Sequence, residues 1–492
     1  KFYYYYSMKR IHLILGLLLL SSLAFSQDKN SFELTVKVKD YPDSLNHVLL
    51  LGRYYWNTQY ITDTATYNAK TKKYVFKNTA PKEGGLYLLI SADKRFTEVI
   101  IDKDQKFGIE TSYPYLSDEV VFTNSPENKL YQDFAEAGKA NYLAMDSVQK
   151  LYKAAKDSNN EKMLKQLGET MNLLYSKFEN HKIDFTKAHP DHVMSLIFKA
   201  QQEIEVPQAP QNIPDSLKQE WRYQYYKAHY FDNINLCDDR LLRTPIFHQR
   251  FENYIDKVLP QHPDSIKFGI EEIIEKTRCN KELFKYTVWY PVDKYQRSEI
   301  IGQDAIWVYL AEKYYLGGEA YWTSEAIIEN FAKRIKREKP LLIGNKPAEF
   351  MCPDTSIGSK KENWVSVFSS PKKYTVIIFW EMDCGHCKKA LPKLLEIYHQ
   401  HGKELDMEVI AINKDTDIEA WKKYIQEQKY DWINLMGKTA TIDYNDLWNI
   451  NSTPTIYVLD RDKRIVTKRI DPEHIEPFIR LWEETHYAPK AK

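Results

Sequence analysis

The chain is poor in cysteine, with 5 in 492 residues, and contains a single Cys-x-x-Cys, at Cys384 to Cys387. A zinc site built on that pair would need two further ligands at a recognisable spacing. No second Cys-x-x-Cys exists, and no His-x3-5-His lies nearby; His399-Gln400-His401 is the nearest candidate, on the solvated end of the following helix. No metal site is therefore expected. An excess of one charge is also lacking: 69 Lys+Arg face 68 Asp+Glu, a formal net charge of +1. That balance argues against nucleic acid or a charged membrane surface as a partner. The mature part carries no low-complexity tract and the chain no convincing internal repeat, while 36 Tyr, 21 Phe and 11 Trp support ordered cores. Its length suits about two to four domains.

An apolar run long enough to span a membrane is missing as well. Ile11 to Phe25 is about fifteen residues, against the roughly twenty that a spanning helix wants. Met8-Lys9-Arg10 precedes this run, and Ser21 to Ser26 supplies small residues at the −3 and −1 positions of a cleavage site. Residues 8–26 thus have the form of a secretory signal peptide cut after Ser26, with an uncleaved anchor as the alternative. Lys1 to Ser7 look like an upstream extension before the start at Met8. No cysteine lies near the cut to carry a lipid anchor. The mature chain is expected in the periplasm or cell envelope.

What the sequence does have is an apolar run, Val376-Ile377-Ile378-Phe379-Trp380, then Glu381-Met382-Asp383-Cys384-Gly385-His386-Cys387, then a helix-compatible segment with Lys388, Lys389, Leu391, Leu394 and Leu395. Strand, dithiol and helix in that order suit redox chemistry. The first sulfur lands at a helix N-terminus, where unpaired N–H groups and the dipole favour thiolate. The second lies one turn on and closes a disulfide with little backbone movement. A purely structural bridge is the weaker alternative, because so short a ring gains little loop entropy.

From about Ile343 the chain resembles the thioredoxin fold, and within it the TlpA/ResA-type thiol-disulfide oxidoreductases of bacterial envelopes. The likeness rests on Gly344 to Phe350 as the opening segment, on Phe379-Trp380 before the dithiol and on Pro392 in the first active-site helix. It rests equally on Glu408 to Asn413 as the next buried parallel strand and on Ser452-Thr453-Pro454-Thr455 before Ile456 to Asp460. Asp460 to Arg464 has the form of a hairpin turn with Ile465-Val466 returning, and His474 to Glu484 that of the last helix. The resemblance implies a cis Thr453-Pro454 bond whose exposed main chain pairs with an extended substrate segment. It further implies that Cys384 attacks, Cys387 resolves, Thr453 and Pro454 hold the substrate, and Trp380 supports and shields the dithiol and belongs to the substrate site. No cofactor is implied. The partners implied are disulfide-containing or dithiol proteins and a membrane thiol carrier as electron donor.

Two departures stand out. Ile378 occupies the position, six before the first cysteine, where the family often has a buried polar or acidic residue, so the usual proton acceptor for the second thiol is missing. Asp383 replaces an aromatic residue, and with Glu381 its charge should oppose thiolate formation, against Lys388 and Lys389. The Gly-His centre is the pair familiar from protein disulfide isomerases. A cationic or hydrogen-bonding His386 would stabilise the Cys384 thiolate; a solvated helix-start residue without that role is the alternative.

Ahead of this domain, Phe32 to Lys39 alternates apolar and polar, the pattern of a half-buried strand. Further strands are expected at 48–51, 73–77, 86–90, 96–101 and 107–110, separated by turn signals. Residues 30–125 thus suggest a small antiparallel sandwich or barrel, resembling the N-terminal β domain of unknown function found before thioredoxin-like modules in Bacteroidetes envelope proteins. Residues 126–339 are expected to be helical. Three apolar stripes, Leu164-Leu167-Met171-Leu174-Tyr175-Phe178, Ile266-Ile270-Ile273-Ile274 and Ile327-Phe331-Ile335, are simplest as bundle core. Trp221, Tyr223, Tyr225, Tyr226 and Tyr230 suggest packing. Gly317-Gly318 suggests a helix cap. Pairing of Cys237 with Cys279 would leave Cys352 free, but spacing alone does not select it; Cys352 is simplest as a small core residue.

The expected protein is multidomain: all-β, then all-α, then an α/β thioredoxin-like fold over 343–488, acting as an extracytoplasmic thiol-disulfide oxidoreductase that reduces protein disulfides. A disulfide oxidase or isomerase, and a partner-binding assembly factor with a secondary redox site, are the rival readings.

Overall fold

A computed structural model describes residues 31–117, 119–358 and 363–486. The signal-peptide segment, 8–26, lies outside the described residues. The chain divides into two compact units. Of the described residues, one unit holds those up to Pro260 together with Ile273–Tyr286; the other holds Gln261–Glu272 together with those from Thr287 on.

The first unit begins with eight strands: β1 (Phe32–Lys39), β2 (Val48–Tyr55), β3 (Thr58–Thr66), β4 (Tyr74–Asn78), β5 (Gly85–Ser91), β6 (Phe96–Ile101), β7 (Lys106–Ser112) and β8 (Val121–Thr123). They form two four-stranded sheets, ordered β4-β1-β7-β8 and β3-β2-β5-β6. Leu34, Val36, Leu49, Leu51, Tyr87, Leu89, Ile101 and Ile109 fill the space between. The expected all-antiparallel arrangement needs correction, because β1 and β7 run parallel, with Leu34 opposite Phe107 and Val36 opposite Ile109. Alternation tells which face of a strand is buried; it carries no information on the neighbour's direction. β3 and β8 lie outside the strands expected from the sequence: β3 is largely exposed along its length and β8 is very short.

Helices follow: α1 (Pro126–Asp157), α2 (Glu161–Ala188), α3 (Val193–Gln201), α4 (Asp215–His229), α5 (Ile246–Asn253), α6 (Pro263–Lys276), α7 (Lys281–Gln296), α8 (Asp304–Leu310) and α9 (Glu325–Glu338). Asn160 caps α2 by accepting from Met163 N at 3.1 Å. The stripe on α2 is not the deep core expected of it. None of its six residues is fully buried, and Tyr175 is 57% exposed; α2 packs chiefly along α1, with α3 as a lesser neighbour. The stripe of α6 is fully buried. In α9 only Ile335 is buried and Ile327 is exposed. Cys237 and Cys279 are joined as a disulfide, leaving Cys352 free and buried. Residues 239–243 press onto β5, where a Cβ on Gly85 would stand 2.4 Å from Arg243 Cβ.

The second unit ends in the α/β domain. Its strands are β9 (Met351–Pro353), β10 (Trp364–Ser366), β11 (Tyr374–Trp380), β12 (Met407–Asn413), β13 (Ile433–Met436), β14 (Thr455–Leu459) and β15 (Ile465–Lys468); its helices are α10 (Cys387–His401), α11 (Ile418–Gln428), α12 (Tyr444–Leu447) and α13 (Ile475–His486). Five strands form one sheet, ordered β13-β12-β11-β14-β15, with β11 parallel to β12 and antiparallel to β14. Every residue of β11 is buried, as a central strand covered on both faces requires. One face packs Val376, Ile378 and Trp380 against Leu391, Leu394 and Trp421. The other packs Ile377 and Phe379 against Phe350, Tyr444 and Trp448.

Candidate active site

The C-terminal end of β11 delivers the chain into the turn that carries Cys384. Cys384 and Cys387 are joined as a disulfide with Cα atoms 5.2 Å apart. The helix starts at Cys387, not at Cys384. Cys384 lies in the preceding turn, where its carbonyl accepts from Lys388 N at 3.1 Å. Its sulfur still meets the helix end, since Cys387 N–H donates to Cys384 Sγ at 3.1 Å. That donor stabilises a thiolate on Cys384 when the bridge opens. Cys387 is fully buried among Trp380, Leu391 and Ile456, whereas Cys384 is partly exposed. The two sulfurs are therefore unequal in access.

The Thr453-Pro454 bond is cis, and the Thr453 carbonyl oxygen stands 3.2 Å from Cys384 Sγ. A reduced, protonated Cys384 can donate to that oxygen. The loop is anchored from beneath. Thr455 Oγ1 donates to Ser452 O at 2.6 Å, Tyr457 OH to Trp448 O at 2.6 Å, and Trp448 Nε1 to Ala348 O at 2.9 Å. Residues about seventy apart in sequence thus meet at one sulfur.

The remaining predicted site residues are placed less simply. Trp380 is fully buried, with Tyr424 and Tyr430 at 5.7 and 6.2 Å between ring centroids. It supports the dithiol from within the core and presents no surface to a bound segment, which corrects its assignment to substrate binding. The His386 ring is exposed and makes no hydrogen bond to either sulfur; the residue serves as the N-cap of α10 through its backbone. The bond that reaches Cys384 comes from the Cys387 main chain instead. Ile378 is fully buried in the apolar core. His399 pairs with Asp431 at 2.9 Å, and no cluster of three metal-ligating side chains is present among the described residues. Burial pushes the Cys352 thiol up to about 12, which makes it a poor nucleophile.

Sequence reasoning missed the strand-end residues beside the dithiol. Asp415 Oδ2 accepts from Met382 N and from Asn413 Nδ2, both at 2.7 Å. Glu381 lies 3.5 Å from Lys414 Nζ and accepts from Thr453 Oγ1 at 3.4 Å. The available signal was a polar Asn-Lys-Asp at the end of a buried parallel strand, where an apolar run would otherwise continue into a loop.

Residues 372–465 match the thioredoxin-like family, and residues 175–314 match a domain of unknown function, DUF5106. No curated protein matches. Among solved structures, a thioredoxin-like protein from Bacteroides caccae is 21% identical over 57% of this chain and 99% of its own, with a TM-score of 0.41. A domain of a possible thiol-disulfide isomerase from Cytophaga hutchinsonii is 31% identical over 30% of this chain and 96% of its own, with a TM-score of 0.27.

Proposed function

The chain belongs, through its C-terminal domain, to the thioredoxin-like family, and on that premise we propose that it is a thiol-disulfide oxidoreductase that reduces protein disulfides outside the cytoplasm. The observation that carries the reading is the inequality of the two sulfurs. Cys384 is accessible, receives a main-chain N–H and abuts the Thr453 carbonyl, while Cys387 is buried behind it. In the reducing direction the Cys384 thiolate attacks one sulfur of a substrate disulfide and forms a mixed disulfide, and the other substrate sulfur leaves as thiolate. The Cys387 thiolate then attacks Cys384 Sγ. The substrate departs fully reduced, and the enzyme is left with the Cys384–Cys387 bridge. A thiol protein, by family likeness a membrane carrier, returns two electrons. Thr453 and Pro454 hold the substrate strand by main-chain pairing.

The location rests on the leader-like residues 8–26. Among the described residues no helix is long and apolar enough to cross a membrane. One specific observation favours a second reading, disulfide donation or isomerisation: the Gly385-His386 centre. The reduction potential separates the two, with about −270 mV for a thioredoxin-like reductase and about −180 to −120 mV for an isomerase or donor. The decisive experiment is the Cys387→Ala chain, which should accumulate substrate proteins as mixed disulfides on Cys384, identifiable by mass spectrometry. If nothing is captured, and a Cys384→Ala, Cys387→Ala chain keeps full biological function, the dithiol is not the working site and the binding-factor reading replaces this one.

A further inference from the structure

We propose that Asp415 is a positioning residue that holds the stretch leading into Cys384 in line with the Thr453 carbonyl. The proposal rests on the exchange reading above and adds a residue to it.

The need for such a group follows from where the sheet stops. On one side of β11 the ladder to β14 ends at Phe379 opposite Thr455; on the other, the ladder to β12 ends at Trp380 opposite Asn413. One further main-chain bond, Lys414 N to Trp380 O at 2.9 Å, closes the strand pair. Beyond it the chain must turn through Glu381, Met382 and Asp383 to reach the sulfur, and no strand is left to accept the Met382 N–H. Asp415 supplies that acceptor at 2.7 Å, two residues before Cys384. The carboxylate is itself oriented: the fully buried Asn413 donates its Nδ2 to the same oxygen at 2.7 Å and accepts Asp415 N on Oδ1 at 3.0 Å. A buried amide thus fixes a carboxylate, and the carboxylate fixes the approach to the nucleophile. Glu381 forms a second, looser tie from the same stretch to Lys414 and Thr453, at 3.5 and 3.4 Å in a more exposed setting.

The role is geometric. A negative charge near Cys384 disfavours its thiolate, so Asp415 does not activate the sulfur through its charge. What it contributes is aim. Cys384 Sγ sits 3.2 Å from the carbonyl that pairs with substrate, and displacement of a reacting atom by about 1 Å costs on the order of a hundredfold in rate.

The test separates aim from charge. In the full chain, reduced, reacting with a synthetic peptide closed by one disulfide, Asp415→Ala should lower kcat/KM roughly ten- to a hundredfold, the effect of losing a charge-assisted hydrogen bond. Asp415→Asn removes the same charge but keeps an acceptor for Met382 N, and should stay within about threefold of wild type. Both variants should lower the Cys384 pKa alike, measured from the pH dependence of alkylation. Asp415→Ser keeps a shorter-reaching acceptor and should fall between Asn and Ala; it serves in place of Asp415→Ala if that chain does not fold. Equal rates for Asn and Ser, Asn as slow as Ala, or Ala as fast as wild type would each overturn the proposal. An active wild type with an active Asp415→Ala refutes only this positioning role, whereas an inert wild-type chain takes the exchange reading down with it.

Discussion

Replacing Asp304 with alanine should destabilise the C-terminal unit, although Asp304 lies 164 positions from the strand it serves. Lys468 belongs to β15, an edge strand of the five-stranded sheet, and is only 8% exposed. Its Nζ donates to Asp304 Oδ2 at the start of α8 and to the Leu341 carbonyl. In Asp304→Ala a nearly buried cation keeps one neutral acceptor and loses its counter-charge. Removing one partner of a fully buried pair costs about 3–5 kcal/mol. Here the side chains retain 10% and 27% exposure, for Lys468 and Asp304 respectively, so water screens part of the loss and about 2–3 kcal/mol is expected. For a unit of about two hundred residues that corresponds to a midpoint lowered by roughly 5–10 °C, readable by calorimetry on the intact chain. The double variant Asp304→Ala, Lys468→Met removes the charge along with its partner and should recover most of the loss. The reasoning is refuted if Asp304→Ala melts within about 1 °C of wild type, or if the double variant is no more stable than the single one. By the same logic, a fragment that begins at residue 343 should be less stable than one that begins at Thr287.

Two further outcomes follow from the first unit. Burial pushes the Glu98 carboxyl, on β6, up to about 7 from its ordinary value of 4.5. The folded state then holds a proton that the unfolded chain releases, so the contribution is full below about 4.5 and is lost as pH rises to about 7; Glu98→Gln should flatten this dependence in urea titrations run between those values. Cys237 and Cys279, separated by 42 positions, close a loop whose removal by Cys237→Ala, Cys279→Ala should cost up to about 4 kcal/mol. The check is the unfolding midpoint of that double variant against wild type under oxidising conditions.

The dithiol and its partner loop were legible because each is a short, unambiguous string. Cys-Gly-His-Cys after an apolar run and Thr-Pro before another can be matched without knowing how the strands pair. Six strands of the sandwich were legible for the same local reason: alternation marks a half-buried strand. The parallel pairing of β1 with β7 was not, because alternation is the same whichever way the neighbour runs. The stripe of α2 overstated its burial, since a period of 3.6 shows that a helix is two-sided and not how many partners cover the apolar side. For Trp380 the sequence shows adjacency to the dithiol and not the side of the sheet on which it is packed. Asp415 is not legible in the sequence, because a lone aspartate after a strand is common, and only the exhausted ladders on both sides of β11 make its carboxylate necessary.

By itself the sequence determined the chemistry that this chain can perform and the order of its parts, since both reside in residue identity and local periodicity. Tertiary structure alone decided which sulfur is accessible, which main-chain N–H meets it, and that residues of the helical stretch such as Asp304 complete the polar contacts of the thioredoxin-like sheet. Exposure, aim and the pairing of buried charges are properties of distances between segments far apart in the chain, and those distances do not exist until the chain has folded.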